Sequence, residues 1–444
     1  MVSENNNNNN ALTKSTRTLI LHPEIRFVQS TRTASSRLEE AVSLAQAIAL
    51  DIRHHAIQPV PKPRPSTLLG GGQVAACKEL IQQHQADLLI LDTVLTPIQQ
   101  RNLEKELQIK VLDRTGLILE IFGARAATRE GRLQVELANL TYQKSRLVRS
   151  WTHLERQRGG VGFVGGPGET QIEADRRMLQ TRIQSVKKKL ESVVRTRGLH
   201  RKTREQAPWP IVALVGYTNA GKSTLFNQLT QSEVLAKDML FATLDPTLRK
   251  IKLDCGQKII LSDTVGFVSE LPTMLVAAFK ATLEEVLSAD IIVHVRDIAH
   301  ADTQAQKLDV MKVLEELGVR KDVPVLEVFN KMDLLTAELR EIHQNKIERV
   351  TPPAVLTSAL TGEGLDSFMQ ALSNLFAARA QRFSISLSPA QGEIVHYLHE
   401  HGKILNQSID EEGQQHIDVL FSETATGRFK KKYPEVQAAM RELV

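Results

Sequence analysis

Gly216-Tyr217-Thr218-Asn219-Ala220-Gly221-Lys222-Ser223 fits the pattern G-x-x-x-x-G-K-S. A loop of this kind wraps backbone N–H groups around phosphates, and the start of the following helix favours negative charge. Lys222 is placed to reach β- and γ-phosphates, and the Ser223 hydroxyl to coordinate Mg²⁺. The context is the one the pattern requires. The apolar run IVALV precedes it, and STLFNQL follows as a helix.

Four further segments narrow the ligand. Asp263-Thr264-Val265-Gly266 ends the strand-like KIILSD. A carboxylate there can hold the Mg²⁺ shell, and the Gly266 N–H can approach the γ-phosphate and sense its loss. Between the two lies Phe241-Ala242-Thr243-Leu244-Asp245, in which Thr243 is the candidate switch threonine that completes Mg²⁺ coordination only when the γ-phosphate is present. Asn330-Lys331-Met332-Asp333 follows the strand-like VLEVF. The Asp333 carboxylate can accept two hydrogen bonds from the guanine edge, which adenine does not offer. Lys331 covers the base and Asn330 ties the loop together. The backbone of Thr357-Ser358-Ala359 would meet the guanine O6. D-x-x-G alone is weak; five elements in order point to GTP. Phe267 stands where many small GTPases carry a water-orienting Gln. No catalytic side chain is therefore assigned, and slow intrinsic hydrolysis is expected, with the missing groups supplied by reordered loops or by a partner. Asn219 either structures its loop or helps hold a monovalent cation such as K⁺.

The elements that must position these residues alternate from Pro208 onward as strands and helices, the pattern of a parallel, doubly wound sheet. The expected fold is α/β. A P-loop GTPase domain spans 207–378, with a mostly parallel sheet. A small α/β domain at 17–124 and a basic antiparallel helical hairpin at 125–206 precede it. A small α/β C-terminal module follows at 379–444. The asparagine-rich tail, 1–16, reads as disordered. In the first domain TLILHP, ADLLILD and KVLDR read as strands, RLEEAVSLAQAIAL as a helix, and QPVPKPRP as a proline-broken loop. Gly70-Gly71-Gly72, before the next helix, forms either a tight turn or an anion site. In the last module the basic tract 428–432 is either an RNA contact or plain surface.

The hairpin carries the charge. The whole chain is +5, yet from Arg125 to Pro208 there are 19 Lys and Arg against 8 Asp and Glu. A stripe this basic favours a polyanion, most simply RNA. Leu133, Leu137, Leu140, Leu147, Trp151 and Leu154 fall at steps of three and four along a helix over 125–157, with Lys144 the one interruption. Leu179, Ile183, Val186, Leu190 and Val193 repeat the pattern. Two such stripes bury each other in an antiparallel pair, leaving Arg158, Arg176, Arg177, Lys187, Lys188 and Lys189 as RNA-contact candidates. Between them lies the glycine-rich loop 159–168. Its Gly160-x-Gly162-x-x-Gly165 has dinucleotide-turn spacing but follows a charged helix, not a strand. It is either a hairpin tip that approaches an RNA backbone or a simple connection. Thr170-x-x-Glu173 reads as the capping box of the second helix and Gly198 as its stop.

Two distant cysteines, Cys77 and Cys255, argue against a disulfide framework or a metal cluster. No apolar run reaches the ~20 residues a membrane span needs. The N-terminus has no signal-peptide core, and the cysteine usage fits a reducing cytosol, so a cytoplasmic location is expected, with peripheral membrane association left open; a monomer is expected separately.

GGPGETQIEADRR, GYTNAGKSTLFNQLT, FATLDPT, DTVGFV, VAAFKATLEE and NKMD resemble the HflX GTPases, as do DRTGLILEIFGARAATREGRLQVELANL and RLVRSWTHLERQRGG upstream. The resemblance covers about residues 17–378. It implies a GTPase that binds the large ribosomal subunit and its rRNA and, with GTP, helps split stalled or idle ribosomes under stress. The basic N-terminal region would reach toward the peptidyl transferase centre. GTP contacts carry over to Gly216–Ser223, Phe241–Asp245, Asp263–Gly266, Asn330–Asp333 and Ser358, Ala359 and Leu360, and Mg²⁺ to Ser223 and Thr243. Phe267 fits the family. An assembly factor, a tRNA-modification partner, or an RNA-binding scaffold with a structural nucleotide remain alternatives.

Overall fold

The computed structural model describes residues 16–443, apart from 27–31, 158–166, 206–208, 232–239, 242, 244–245, 254–256, 270–282, 348–352 and 411–412. The asparagine run, Arg158, most of the glycine-rich loop, Ala242, Leu244, Asp245 and Cys255 lie outside these residues. Cys77 is buried as a free thiol.

The first domain is a parallel sheet in the order β2-β1-β3-β4: β1 (Arg17–Ile25), β2 (Asp51–Val60), β3 (Leu88–Leu91) and β4 (Lys110–Asp113). Helices α1 (Ala34–Ala47), α2 (Gly71–His84) and α3 (Pro97–Leu107) connect the strands. The strand β2 runs through Pro59, so QPV is strand and not loop. An edge strand tolerates proline, because no inner neighbour needs its missing N–H. Gly70 caps α2 and donates its N–H to Gln73 Oε1, which makes Gly70–Gly72 a helix start closed by its own side chain.

Helix α4 (Arg114–Arg125) follows β4 directly, and α5 (Arg129–Gln157) begins after a short break, so the first long helix starts at 129 and not at 125. Helix α6 (Pro167–Glu205) differs from expectation at both ends. Thr170 lies inside its first turn, so it is not the cap. Gly198 lies in its interior, so it is not the stop. One glycine costs a helix about 1 kcal/mol, which the surrounding run of Lys, Arg and Leu offsets. The two helices are antiparallel: Glu136 accepts from Arg182 at 3.0 Å, while Lys144 further along bonds Gln180. Leu140, Ile183 and Val186 are buried between them, with Leu133, Leu137 and Leu179 packed alongside.

The second sheet has the order β10-β9-β8-β5-β7-β6. It contains β5 (Ile211–Gly216), β6 (Thr247–Lys252), β7 (Lys258–Asp263), β8 (Ile291–Asp297), β9 (Val325–Asn330) and β10 (Ala354–Leu356). All neighbours are parallel except β6–β7, and β6 was not legible as a strand in the sequence. Helix α7 (Lys222–Thr230) leaves the end of β5. A third, antiparallel sheet at the C-terminus contains β11 (Ala380–Leu387), β12 (Lys403–Ile409), β13 (Gln415–Ser422) and β14 (Met440–Leu443) in the order β12-β13-β11-β14. Phe383, Leu398, Phe421 and Phe429 fill its core.

Candidate functional site

The carboxyl ends of β5, β7, β9 and β10 bring four of the five motifs together, and Thr243 joins them from the loop before β6. Strand β5 is buried, so the chain emerges at Gly216 with its direction fixed. Gly221 turns it into α7 with φ +92°, and a Cβ there would strike the Asn330 amide. Lys222 is buried, and its Nζ donates to the carbonyls of Gly216 at 3.1 Å and Tyr217 at 2.8 Å. Burial pulls its pKa down to about 8, against the attraction of Asp263. A buried ammonium bonded to two neutral carbonyls and attracted by one carboxylate suits an incoming polyanion.

Three hard oxygen donors meet beside it. Ser223 Oγ lies 2.8 Å from Thr243 Oγ1, and both hydroxyls donate to Asp263 Oδ2, at 2.7 and 2.9 Å. Asp263 is fully buried, and its Oδ1 has no hydrogen-bond partner among the described residues. Burial holds its carboxyl above the usual range despite the two hydroxyls and the Lys222 charge. An orphaned carboxylate oxygen among hydroxyls, with no nitrogen or sulfur donor in the set, fits Mg²⁺.

The segment after Asp263 is fastened to the phosphate loop. Phe267 donates its N–H to Gly216 O at 3.1 Å, and Thr218 donates to Phe267 O at 2.7 Å. Gly266 lies so close that a Cβ would meet Thr218 Cα at 2.9 Å and Lys222 Nζ at 3.0 Å. The Phe267 side chain is buried in the core with Phe241 and Val265 and presents no polar group. Asn219 is exposed at φ 60°.

At the other end of the site Asn330 acts as a tie. Its amide donates to Ala220 O at 2.9 Å and accepts from the Ala359 N–H at 2.8 Å, which joins the phosphate loop to the segment after β10. Asp333 accepts from Ser358 Oγ at 2.6 Å, which fixes the carboxylate plane. Lys331 sits at φ 67° and pairs with Asp297 at 2.8 Å. Met332 is buried and Leu360 is largely exposed.

Sequence reasoning missed a second set of residues beside this site: Ser269, and a group from the first domain that packs against it. The Tyr217 hydroxyl accepts from Arg32 at 2.7 Å and from the Ser269 N–H at 2.5 Å, and donates to Glu40. Arg114 reaches Asp92 at 2.6 Å, Glu40 at 2.7 Å and Ser269 Oγ at 2.7 Å. Burial opposes ionisation of Glu40, but the Arg114 charge and the Ser269 and Tyr217 hydroxyls overcome it and hold the carboxyl low. Phe122 packs edge-on against Phe241 at 4.6 Å. The one available signal was Asp113-Arg114, a charged pair opening the apolar run LILEIF.

Arg176, Arg177 and Lys187 to Lys189 are all exposed along α6, more than one helical turn from end to end and outside the phosphate site. They form a separate basic surface, and Arg177 pairs with Glu173, four residues away, at 3.5 Å. No helix among the described residues is long and apolar enough to cross a membrane.

Residues 35–123 match the family described as the GTP-binding GTPase N-terminal, and 125–204 the GTP-binding GTPase middle region. Residues 211–331 match the 50S ribosome-binding GTPase family, and 344–442 the HflX C-terminal domain. The GTPase HflX of Magnetococcus marinus is 50% identical over 376 residues, covering 84% of this chain and 86% of its own. That of Escherichia coli K12 is 43% identical over 372 residues, again 84% and 86%. That of Lacrimispora saccharolytica is 42% identical over 378 residues, 85% and 86%.

Proposed function

Because the chain belongs to the HflX family of GTPases, we propose that it is a Mg²⁺-dependent GTP switch that associates with the large ribosomal subunit and helps dissociate or rescue stalled or idle ribosomes under stress. The observation that carries the switch is the meeting of Ser223, Thr243 and Asp263 beside buried Lys222. Gly216 to Ser223 hold the phosphates, with Lys222 on the β- and γ-groups. Asn330 to Asp333 and Ser358 to Leu360 hold guanine. Ser223 and Thr243 hold Mg²⁺, with Asp263 behind them. When bound, the ion neutralises charge on the β- and γ-phosphate oxygens. Thr243, through Mg²⁺, and Gly266, through its N–H, would sense the γ-phosphate and respond to its loss.

Phe267 supplies neither an acid nor a base. The chain therefore binds and orients GTP but leaves the attacking water without a side-chain partner at that position. Intrinsic hydrolysis is slow and is stimulated by the ribosome. Arg176, Arg177, Lys187, Lys188 and Lys189 supply the affinity for rRNA through their phosphate contacts.

Intact ribosomes sedimented with this protein and GTP, GDP or a non-hydrolysable GTP analogue test the reading. Subunit release with GTP or the analogue, and not with GDP, is expected. Association with large subunits without release overturns splitting in favour of assembly. Association independent of nucleotide overturns the switch.

A further inference from the structure

We infer that helix α4 couples the nucleotide to the hairpin: Arg114 positions the segment after Gly266, and Asp113 passes that setting to α5. This rests on the reading above that Gly266 senses the γ-phosphate.

Only two residues, Phe267 and Val268, separate Gly266 from Ser269, and they carry no slack. Both backbone bonds of Phe267 go to the phosphate loop. The Ser269 N–H goes to Tyr217, and its hydroxyl and carbonyl go to Arg114, at 2.7 and 3.2 Å. A shift of Gly266 must therefore move Ser269 or break these bonds. Arg114 is 1% exposed, with its charge shared between Asp92 and Glu40. A guanidinium so enclosed follows its partners as a unit, because leaving any of them unpaired costs several kcal/mol. The other switch segment touches the same helix, through Phe241 on Phe122. Thus α4 contacts both segments that carry the γ-phosphate sensors of the reading above, Thr243 and Gly266.

The next residue back faces the other way. Asp113 caps α4, accepting from the Gly116 N–H at 2.8 Å. The same carboxylate accepts from Tyr142 Oη at 2.5 Å and from Arg146 at 2.6 Å, both on α5. Asp113 is fully buried, so the hairpin is anchored at the helix end that holds Ser269. Arg114 and Asp113 are positioning residues; neither lies at the phosphate site.

Coupling is reciprocal, so a change in the hairpin anchor must alter nucleotide preference. The test measures the affinity of the full chain for a fluorescent non-hydrolysable GTP analogue and for fluorescent GDP. The contacts coexist here with Thr243 drawn onto Asp263, so loosening them should disfavour the analogue. Ser269→Ala and Tyr142→Phe should each lower the analogue-to-GDP affinity ratio by ~3–10-fold, and the double variant by less than the product. Should Ser269→Ala fail to fold, Phe122→Leu perturbs the same helix through Phe241 and should lower the ratio too. A merely structural role predicts lower thermal midpoints with unchanged ratios. Ratios within twofold of the parent in folded variants overturn the coupling. Lys222→Ala separates the premises: if it still binds both nucleotides normally, the phosphate-site reading fails; if it loses them while the ratios above are unchanged, only the coupling fails.

Discussion

The phosphate site and the basic hairpin treat charge in opposite ways. At the phosphate site the charges are inside. Lys222 and Asp263 are buried, and Asn330 is held by bonds to two other loops. In the hairpin the charges are outside: Arg176, Arg177 and Lys187 to Lys189 ride on a helix whose described seam buries only Ile183 and Val186 against Leu140. A buried charge interacts strongly with a ligand that replaces water, and only in one geometry. An exposed charge gives affinity by releasing counterions, tolerates many geometries and is screened by salt. The difference suits the proposed roles, one ligand recognised by shape and edge, the other by its backbone charge.

The sharpest break between the two regions is selectivity. A site that hydrogen-bonds a particular edge rejects the analogue lacking it by about 10⁴-fold. GTP should therefore outcompete ATP by that order, and Asp333→Ala should collapse the preference. Equal displacement of a fluorescent GTP analogue by ATP and GTP would count against the guanine site. Next in size is Lys222→Ala. Removing one member of a buried charge pair costs about 3–5 kcal/mol, a ~10²–10³-fold or greater loss of GTP affinity. Titration calorimetry showing less than a tenfold loss would mean that Lys222 does not meet phosphate.

Why one region was legible and the other only in outline has a physical cause. Each nucleotide motif is a short local segment whose residue types are forced by one turn, as with Gly221, where a Cβ would strike Asn330. The apolar runs of the central sheet likewise announce β5, β8 and β9, because strands buried on both faces lack polar alternation. What escaped has no local signature. β2 is an edge strand with proline and histidine, and β6 is half Lys and Arg, with Ile251 its one buried residue. α4 is so apolar that its helical period is hidden. The bonds of Ser269 to Arg114 and Glu40 join residues 155 and 229 positions apart, and nothing in either segment names the other. Sequence also marked Gly198 and Thr170 as helix limits, where helix-forming neighbours simply carry α6 past both.

The hairpin should answer to salt where the phosphate site answers to chemistry. Reversing Arg176, Arg177 and Lys187 to Lys189 removes five exposed cations. If each neutralises a phosphate, the log–log salt dependence of rRNA binding should lose ~0.7–0.9 per residue. Affinity at low salt should fall about 10²-fold or more while GTP affinity stays unchanged. Filter binding to rRNA with the parent slope retained would remove this surface from the interface.

The smallest expected effect concerns a buried group that touches neither ligand. His294 lies in the middle of β8, buried, and its Nδ1 has no hydrogen-bond partner among the described residues. Burial pulls its pKa down to about 3, against the attraction of Glu327. The folded state therefore prefers the neutral ring, while the unfolded chain takes up a proton near pH 6.5. Stability from this residue is fully present above pH 6.5 and falls as the pH drops toward 3, by about 1.4 kcal/mol per unit. Carboxylates that lose their partners in acid add to the same slope, so the contribution of His294 is read as a difference. In denaturant unfolding between pH 5.5 and 4.5, the parent should lose about 1.4 kcal/mol more than His294→Leu. Parallel curves would mean that the imidazole finds a proton-accepting partner in the fold, and that the core beneath the phosphate loop is less sealed than the burial of its strands implies.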